Sequence, residues 1–165
     1  MCRSMPRLSW ARALLLALAV TASPVAAAGP AETVLSAMNS ARAKAGCGAL
    51  RLNGKLTAAA KGHATAMAEQ NFFGHAGKDG SRLSSRITRQ GYDFRAAAEN
   101  IAAGQKTAAQ VVASWLKSPG HRRNILDCRM TDTGIALVYQ ANDRPIRGNP
   151  APLRYYWVQV FATPG

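Results

Sequence analysis

Along most of this chain the apolar positions recur with the period of a helix. Only near the C-terminus do they take the period of a strand. Val34, Met38, Ala41 and Ala45 fall at helical spacing and predict a helix over 33–45, which Gly46 can end. Leu56, Ala60, His63 and Met67 lie at i, i+4, i+7 and i+11. They predict a second helix from 54 or 55 to about 71, with Asn53 as its cap. Phe72 and Phe73 then anchor an irregular, glycine-flanked loop that holds His75. Leu83 and Ile87 mark a shorter helix, opened by Ser81 and stopped by Gly91. Thr107 and Gln110 form a capping box for a helix whose apolar face is Ala108, Val111, Val112 and Trp115. Ser118-Pro119 stops that helix, because proline disfavours helical geometry in the residue before it, and places His121 on a rigid corner.

Two segments alternate with period two. In 134–140, Ile135, Leu137 and Tyr139 face one way and Ala136 and Val138 the other. In 155–161, Tyr155, Trp157 and Phe161 share one face and Tyr156, Val158 and Val160 the other. Apolar groups on both faces require a sheet covered on both sides, and helices are the remaining material. The expected fold class is α+β, a three-layer α-β-α sandwich around a small antiparallel sheet. Residues 47–53 read as a turn carrying Leu50 and Leu52, and 99–104 as a short strand or extended segment. The Pro- and Gly-rich link 141–154 reads as a mobile surface loop.

Composition changes this picture at the N-terminus. Arg3, Arg7 and Arg12 precede a short apolar run at 13–22, and Ala26 and Ala28 supply an A-x-A site. This predicts a signal peptide over 1–28 and a single domain over 29–165. The run is short of the ~20 residues a spanning helix needs, so no transmembrane segment is expected after cleavage. An uncleaved anchor is the alternative. The expected destination is secreted or periplasmic. The whole chain carries 21 Lys and Arg against 8 Asp and Glu, a net +13, and cleavage would leave 13 − 3 = +10. Such charge suits an anionic surface, but the cations are scattered and form no aromatic-interleaved stripe, so no specific nucleic-acid partner is expected. Cys47 and Cys128 survive cleavage, and an even count in an exported chain suggests a disulfide; two free thiols are the alternative.

Three residues carry the candidate chemistry: His75, Glu99 and His121. Each sits at the end of an element rather than on a regular apolar face, where binding and catalysis concentrate. Converged, two imidazoles and a carboxylate suit a divalent metal such as zinc. They equally suit an acid–base pair in which the carboxylate fixes one imidazole's tautomer. A hydrogen-bonded network that pins loops without a ligand is the third reading. His63 lies on an apolar face, either as a core histidine or as a cleft wall. There is no H-E-x-x-H, no G-x-S-x-G elbow and no phosphate-cradling glycine loop.

The ordered motifs resemble a known family. They are Asn71-Phe72-Phe73-Gly74-His75 with Asp79-Gly80, Gly91-Tyr92, Glu99-Asn100-Ile101-Ala102, Trp115, Ser118-Pro119-Gly120-His121-Arg122 with Asn124-Ile125-Leu126, Gly134, and Tyr156-Trp157-Val158-Gln159. Over about 34–161 the chain is similar to the bacterial branch of the CAP superfamily (cysteine-rich secretory, antigen 5 and pathogenesis-related 1 proteins), the SCP domain. The resemblance implies an exported α-β-α sandwich with a central cleft. It also implies a tetrad of two histidines and two glutamates that in some members holds zinc. His75, Glu99 and His121 match three tetrad positions. Where the second glutamate is expected this chain has Lys117 and Ser118, with no acid nearby. Activities in the family differ, so the fold alone does not deliver function. The reading is a non-catalytic extracytoplasmic binding module that needs no cofactor. Its His75–Glu99–His121 cleft would take a small ligand, lipid, peptide or cell-envelope component. A hydrolase, metal-assisted or with histidine as general base, is the alternative, and a structural envelope protein held by its charge is a third.

Overall fold

A computed structural model describes Met1 and residues 28–165. The signal peptide expected over 1–28 lies almost wholly outside the described residues. The elements are helix α1 (Pro30–Lys44), strand β1 (Arg51–Leu52), helices α2 (Gly54–Glu69) and α3 (Leu83–Arg89), strand β2 (Phe94–Ala103), helices α4 (Ala108–Lys117) and α5 (Pro119–Ile125), and strands β3 (Asp132–Tyr139) and β4 (Tyr155–Pro164). The strand order is β1-β3-β4-β2. The long strands pair antiparallel, but the two-residue β1 runs parallel to β3, so the sheet is mixed rather than purely antiparallel.

The two faces of the sheet follow the alternation in sequence. Ile101, Ala136, Tyr156, Val158 and Val160 pack with Leu56, Ala60 and Met67 of α2 and Ile87 of α3. Ala102, Ile135, Trp157 and Phe161 pack with Val34 and Met38 of α1, Val111 and Trp115 of α4, and Ile125 of α5. Each layer thus excludes water from one face of the strands. On β3, Gly134 faces the first turn of α2. A Cβ there would lie 2.0 Å from the Leu56 carbonyl carbon. The missing side chain lets the helix backbone seat directly on the strand.

Local signals explain most boundaries. The Asn53 side chain accepts from the Lys55 and Leu56 amides. The Thr107–Gln110 capping box forms in both directions. Other expectations are corrected. Ser81 does not cap α3, since its amide donates to Asp79 Oδ1 at 2.9 Å and Arg82 occupies the cap position. Pro119 stops α4 but also starts α5, because its fixed φ and missing N–H suit a first helical position. His121 therefore stands in the first turn of α5 rather than on a bare corner. The buried face of α1 is Val34, Met38 and Arg42, with Ala45 exposed beyond the helix end. The link 141–154 is anchored at Asp143, which accepts from the Tyr156 hydroxyl at 3.0 Å and from the Arg154 amide at 2.7 Å.

The segment after α5 is tied to the end of α1 by two devices. Cys47 and Cys128 form a disulfide across 81 residues. Beside it the Arg42 side chain is fully buried and donates to four backbone carbonyls, of Gly48, Ile125, Asp127 and Met130, at 2.7 to 2.9 Å.

Candidate functional site

The site forms at the free edge of the sheet, on β2. Consecutive residues of that strand point to opposite faces, so Glu99 and Asn100 reach into different layers. Glu99 turns towards α3 and the loop after α2. Its Oε1 accepts from His75 Nδ1 at 2.8 Å, and its Oε2 accepts from Arg86 Nη2 at 2.8 Å. Asn100 turns towards α5. Its amide donates to the His121 carbonyl at 3.2 Å, and its Oδ1 accepts from Asn124 Nδ2 at 2.9 Å. Asn124 also donates to the Glu99 carbonyl at 3.3 Å. The edge strand thereby ties the His75 loop on one side to the His121 helix on the other.

The electrostatics follow from this geometry. Burial alone would push the Glu99 carboxyl up. The hydrogen bond from His75 and the charge of Arg86 outweigh it, and its pKa is lowered. An ionised carboxylate only accepts, so His75 Nδ1 carries a proton and leaves Nε2 as the ring's other functional atom. The His75 side chain is 59 % exposed while Glu99's is 3 %. These two residues, with Ala76, Arg82 and Leu83, line an open hollow of about 350 Å³. His121 is half-buried and its Nδ1 is buried without a protein partner. Burial, then the neighbouring His75, hold its pKa below the ordinary value.

Of the three candidates singled out from the sequence, the structure brings His75 and Glu99 into direct contact. His121 stands within electrostatic reach of His75 but bonds to neither side chain. His63 is a buried histidine, 1 % exposed, with Nε2 bonded to the Gly74 carbonyl at 2.9 Å. It supports the base of the His75 loop from below.

Arg86 was missed by the sequence reasoning, although a signal was present. It sits between Leu83 and Ile87 on the inward face of a short helix, where an arginine must find an anion or carbonyls. It donates to Glu99 and to the His75 and Ser81 carbonyls. Its presence bears on whether Glu99 could serve as a metal ligand. Both Glu99 oxygens are engaged, a guanidinium sits against the carboxylate, and Lys117 and Ser118 supply no second acid. Among the described residues no group of three His, Cys, Asp or Glu side chains is arranged to hold an ion. The donor set does not fit a zinc centre built on three protein ligands.

A larger hollow, about 730 Å³, lies between α1 and α4–α5 against Ala37, Ala41, Val112 and Leu116. Size favours that groove, whereas convergent polar groups, which orient a ligand, favour the cleft. Among the described residues no helix is long and apolar enough to cross a membrane.

Comparison with known proteins agrees with this architecture. The chain is 31 % identical over 118 residues to the Bacillus subtilis (strain 168) protein YkwD, a match covering 72 % of this chain and 46 % of that one. It thus spans less than half of that relative's length. An extracellular protein containing a SCP domain from Bacillus anthracis superposes with a TM-score of 0.69 at 24 % identity, over 81 % of this chain and 40 % of the other. An outer surface protein from Borrelia burgdorferi superposes with a TM-score of 0.69 at 20 % identity, over 80 % and 90 %. These two likenesses support the α-β-α sandwich. With the family model for cysteine-rich secretory proteins matching residues 35–161, the chain belongs to the cysteine-rich secretory protein (CAP) family.

Proposed function

We propose that this protein is an exported, non-catalytic binding module. Its cleft at the β2 edge, with His75, Glu99 and His121, takes a small ligand, lipid, peptide or cell-envelope component. One observation carries the reading: Glu99 is neutralised by Arg86 and spent on orienting His75. A carboxylate so engaged is a poor general base for water, and among the described residues no activated nucleophile is hydrogen-bonded to it. It is well suited to hold the exposed imidazole in one tautomer, which fixes how that ring meets a ligand. No cofactor is required in this reading. Export to an extracytoplasmic, oxidising compartment is supported by the Cys47–Cys128 disulfide and by the family.

The test is a fragment screen on the purified protein, read from the ring resonances of His75 and His121. The expected hits perturb both rings and lose at least ten-fold in affinity in His121→Ala. Hits that leave both rings unmoved would remove the cleft assignment. The unpartnered His121 Nδ1 is the one observation favouring a hydrolase with histidine as base. Turnover of any peptide, ester or peptidoglycan substrate that His121→Ala abolishes would favour that reading instead.

A further inference from the structure

Two hollows meet on the face made by α1, α4 and α5. The larger, about 730 Å³, runs between α1 and α4–α5, and the smaller, about 460 Å³, lies against the junction of α4 and α5. They share Leu116, Arg122 and Leu126, so they adjoin as one groove. Its floor is apolar, with Val112, Leu116 and Leu126 left only half-buried by the fold. Its rim is cationic: Lys44, Lys117, Arg122 and Arg123 are all exposed. Among the described residues none of these four is in an ion pair. Neither α4 nor α5 contains an acid, Glu32 lies at the other end of α1 from Lys44, and Asp127 is bonded to Arg129. An apolar floor with a rim of one sign suits a partner whose apolar side chains stand between negative ones.

The same observations choose among occupants. A second copy of this chain would bring the same strongly positive charge, +13 over the whole sequence. The segment ahead of α1 carries Arg3, Arg7 and Arg12 and no acid. Neither complements the rim. A flat lipid surface would meet the rim and miss the floor, because the exposed large hydrophobic side chains, Leu52, Phe73 and Tyr139 among them, line neither hollow. A single-chain amphiphile brings one negative charge to four cations. A helix of another protein answers both floor and rim. Val112 and Leu116 stand four residues apart on α4, and Ala37 and Ala41 likewise on α1, so the two walls are i, i+4 rows. The ridges of a third helix pack into the groove between such rows. Its apolar stripe then lies on the floor, and acidic residues on its flanks reach the rim.

We propose that the α1–α4–α5 groove docks an acidic amphipathic helix of a partner protein. The groove shares no lining residue with the hollow at His75 and Glu99, so it is a second site. Its test is an amide-resolved NMR titration of the purified protein with a synthetic peptide. The peptide is about 15 residues, long enough to hold a helix, with a leucine stripe flanked by glutamates. Saturable shifts should be confined to residues 37–45 and 112–126. Replacing the peptide's glutamates by lysines, or its leucines by serines, should in each case weaken binding about ten-fold or more. Ala41→Glu, which puts a carboxylate in the groove, should weaken it as much. So should Lys44→Glu with Arg122→Glu, two exposed rim positions that serve if Ala41→Glu fails to fold. Arg144→Glu with Arg147→Glu makes the same change in net charge at residues that line neither hollow, and should leave binding unchanged. No binding of the leucine–glutamate peptide, equal binding of the lysine peptide, binding that persists in both groove variants, or an equal loss in the Arg144 and Arg147 variant would each overturn the proposal. Shifts of the same residues by dodecanoate or phosphatidylglycerol vesicles, with none by the peptide, would make the groove a lipid site instead.

Discussion

Two arginines are buried among the described residues, Arg42 and Arg86, and they teach opposite lessons. Arg42 lies beside the disulfide and spends its side chain on four backbone carbonyls, with no carboxylate hydrogen-bonded to it. Every contact is fixed main chain, so the arginine joins α1 to the segment after α5. Burial pulls its pKa down, yet the carbonyl dipoles hold it in place. Arg86 has a carboxylate, two carbonyls and one unpartnered atom. Its carboxylate partner in turn orients an exposed imidazole. A buried cation met only by main chain closes structure; one met by a carboxylate that also orients an exposed imidazole belongs to the cleft.

The largest expected effect tests the closed end. Arg42→Ala removes a donor from four carbonyls, of which only Asp127's keeps another, the Met130 amide, and leaves a cavity; it should cost about 5 kcal/mol, the upper end for breaking a buried charged network. Urea denaturation measures it, and a loss under about 1 kcal/mol would dissolve the contrast. Replacing both cysteines, Cys47→Ser with Cys128→Ser, should cost about 4 kcal/mol for a loop of this length. The same denaturation curves report it, and ligand binding at the cleft should survive in the fraction that folds. Glu99→Gln should cost about 2–3 kcal/mol, because it leaves Arg86 without its counter-charge. Unlike the first two, it should also weaken binding at the cleft, since the one amide oxygen of glutamine cannot replace the two carboxylate oxygens that separately accept from His75 and Arg86. A variant that is destabilised but binds as before would place Glu99 with Arg42 as structure only.

The smallest effect is in pH. His63 and His121 have lowered pKa values, so the unfolded chain binds protons before the folded one does. Stability should therefore fall as pH drops below about 6.5, the ordinary histidine value. Glu99, also lowered, adds a second loss as pH falls below its ordinary 4.5 and on through its depressed folded value. Thermal melts from pH 8 down to about 2 should show two successive declines. His121→Gln should shrink only the first, and a curve flat down to pH 5 would contradict both histidine assignments.

Much of the fold was legible because burial writes itself as period. The two faces of β3 and β4 could be assigned residue by residue, and Asn53 and Thr107 announced their helices. Elements without a period were not legible. β1 has two residues, too few to alternate, and of β2 only the part from Glu99 was read as extended, because its start at Phe94 runs through alanines that read equally as helix. At 119 one proline signals both an end and a beginning, and sequence alone registered only the end. The site was half legible. His75 and Glu99 stood out as polar residues at element ends, but their union depends on Arg86. An arginine on an inward helix face looks like a surface residue until its partner, 13 residues away, is in place.

Gly134 has a consequence that reaches the cleft. The helix that carries His63, and through Gly74 the base of the His75 loop, rests on a strand position where even one methyl group would collide with main chain. Saturation mutagenesis should find no acceptable replacement at 134. The spacing between the ligand-facing layers is set, in effect, by a single absent carbon on the opposite side of the sheet from α5.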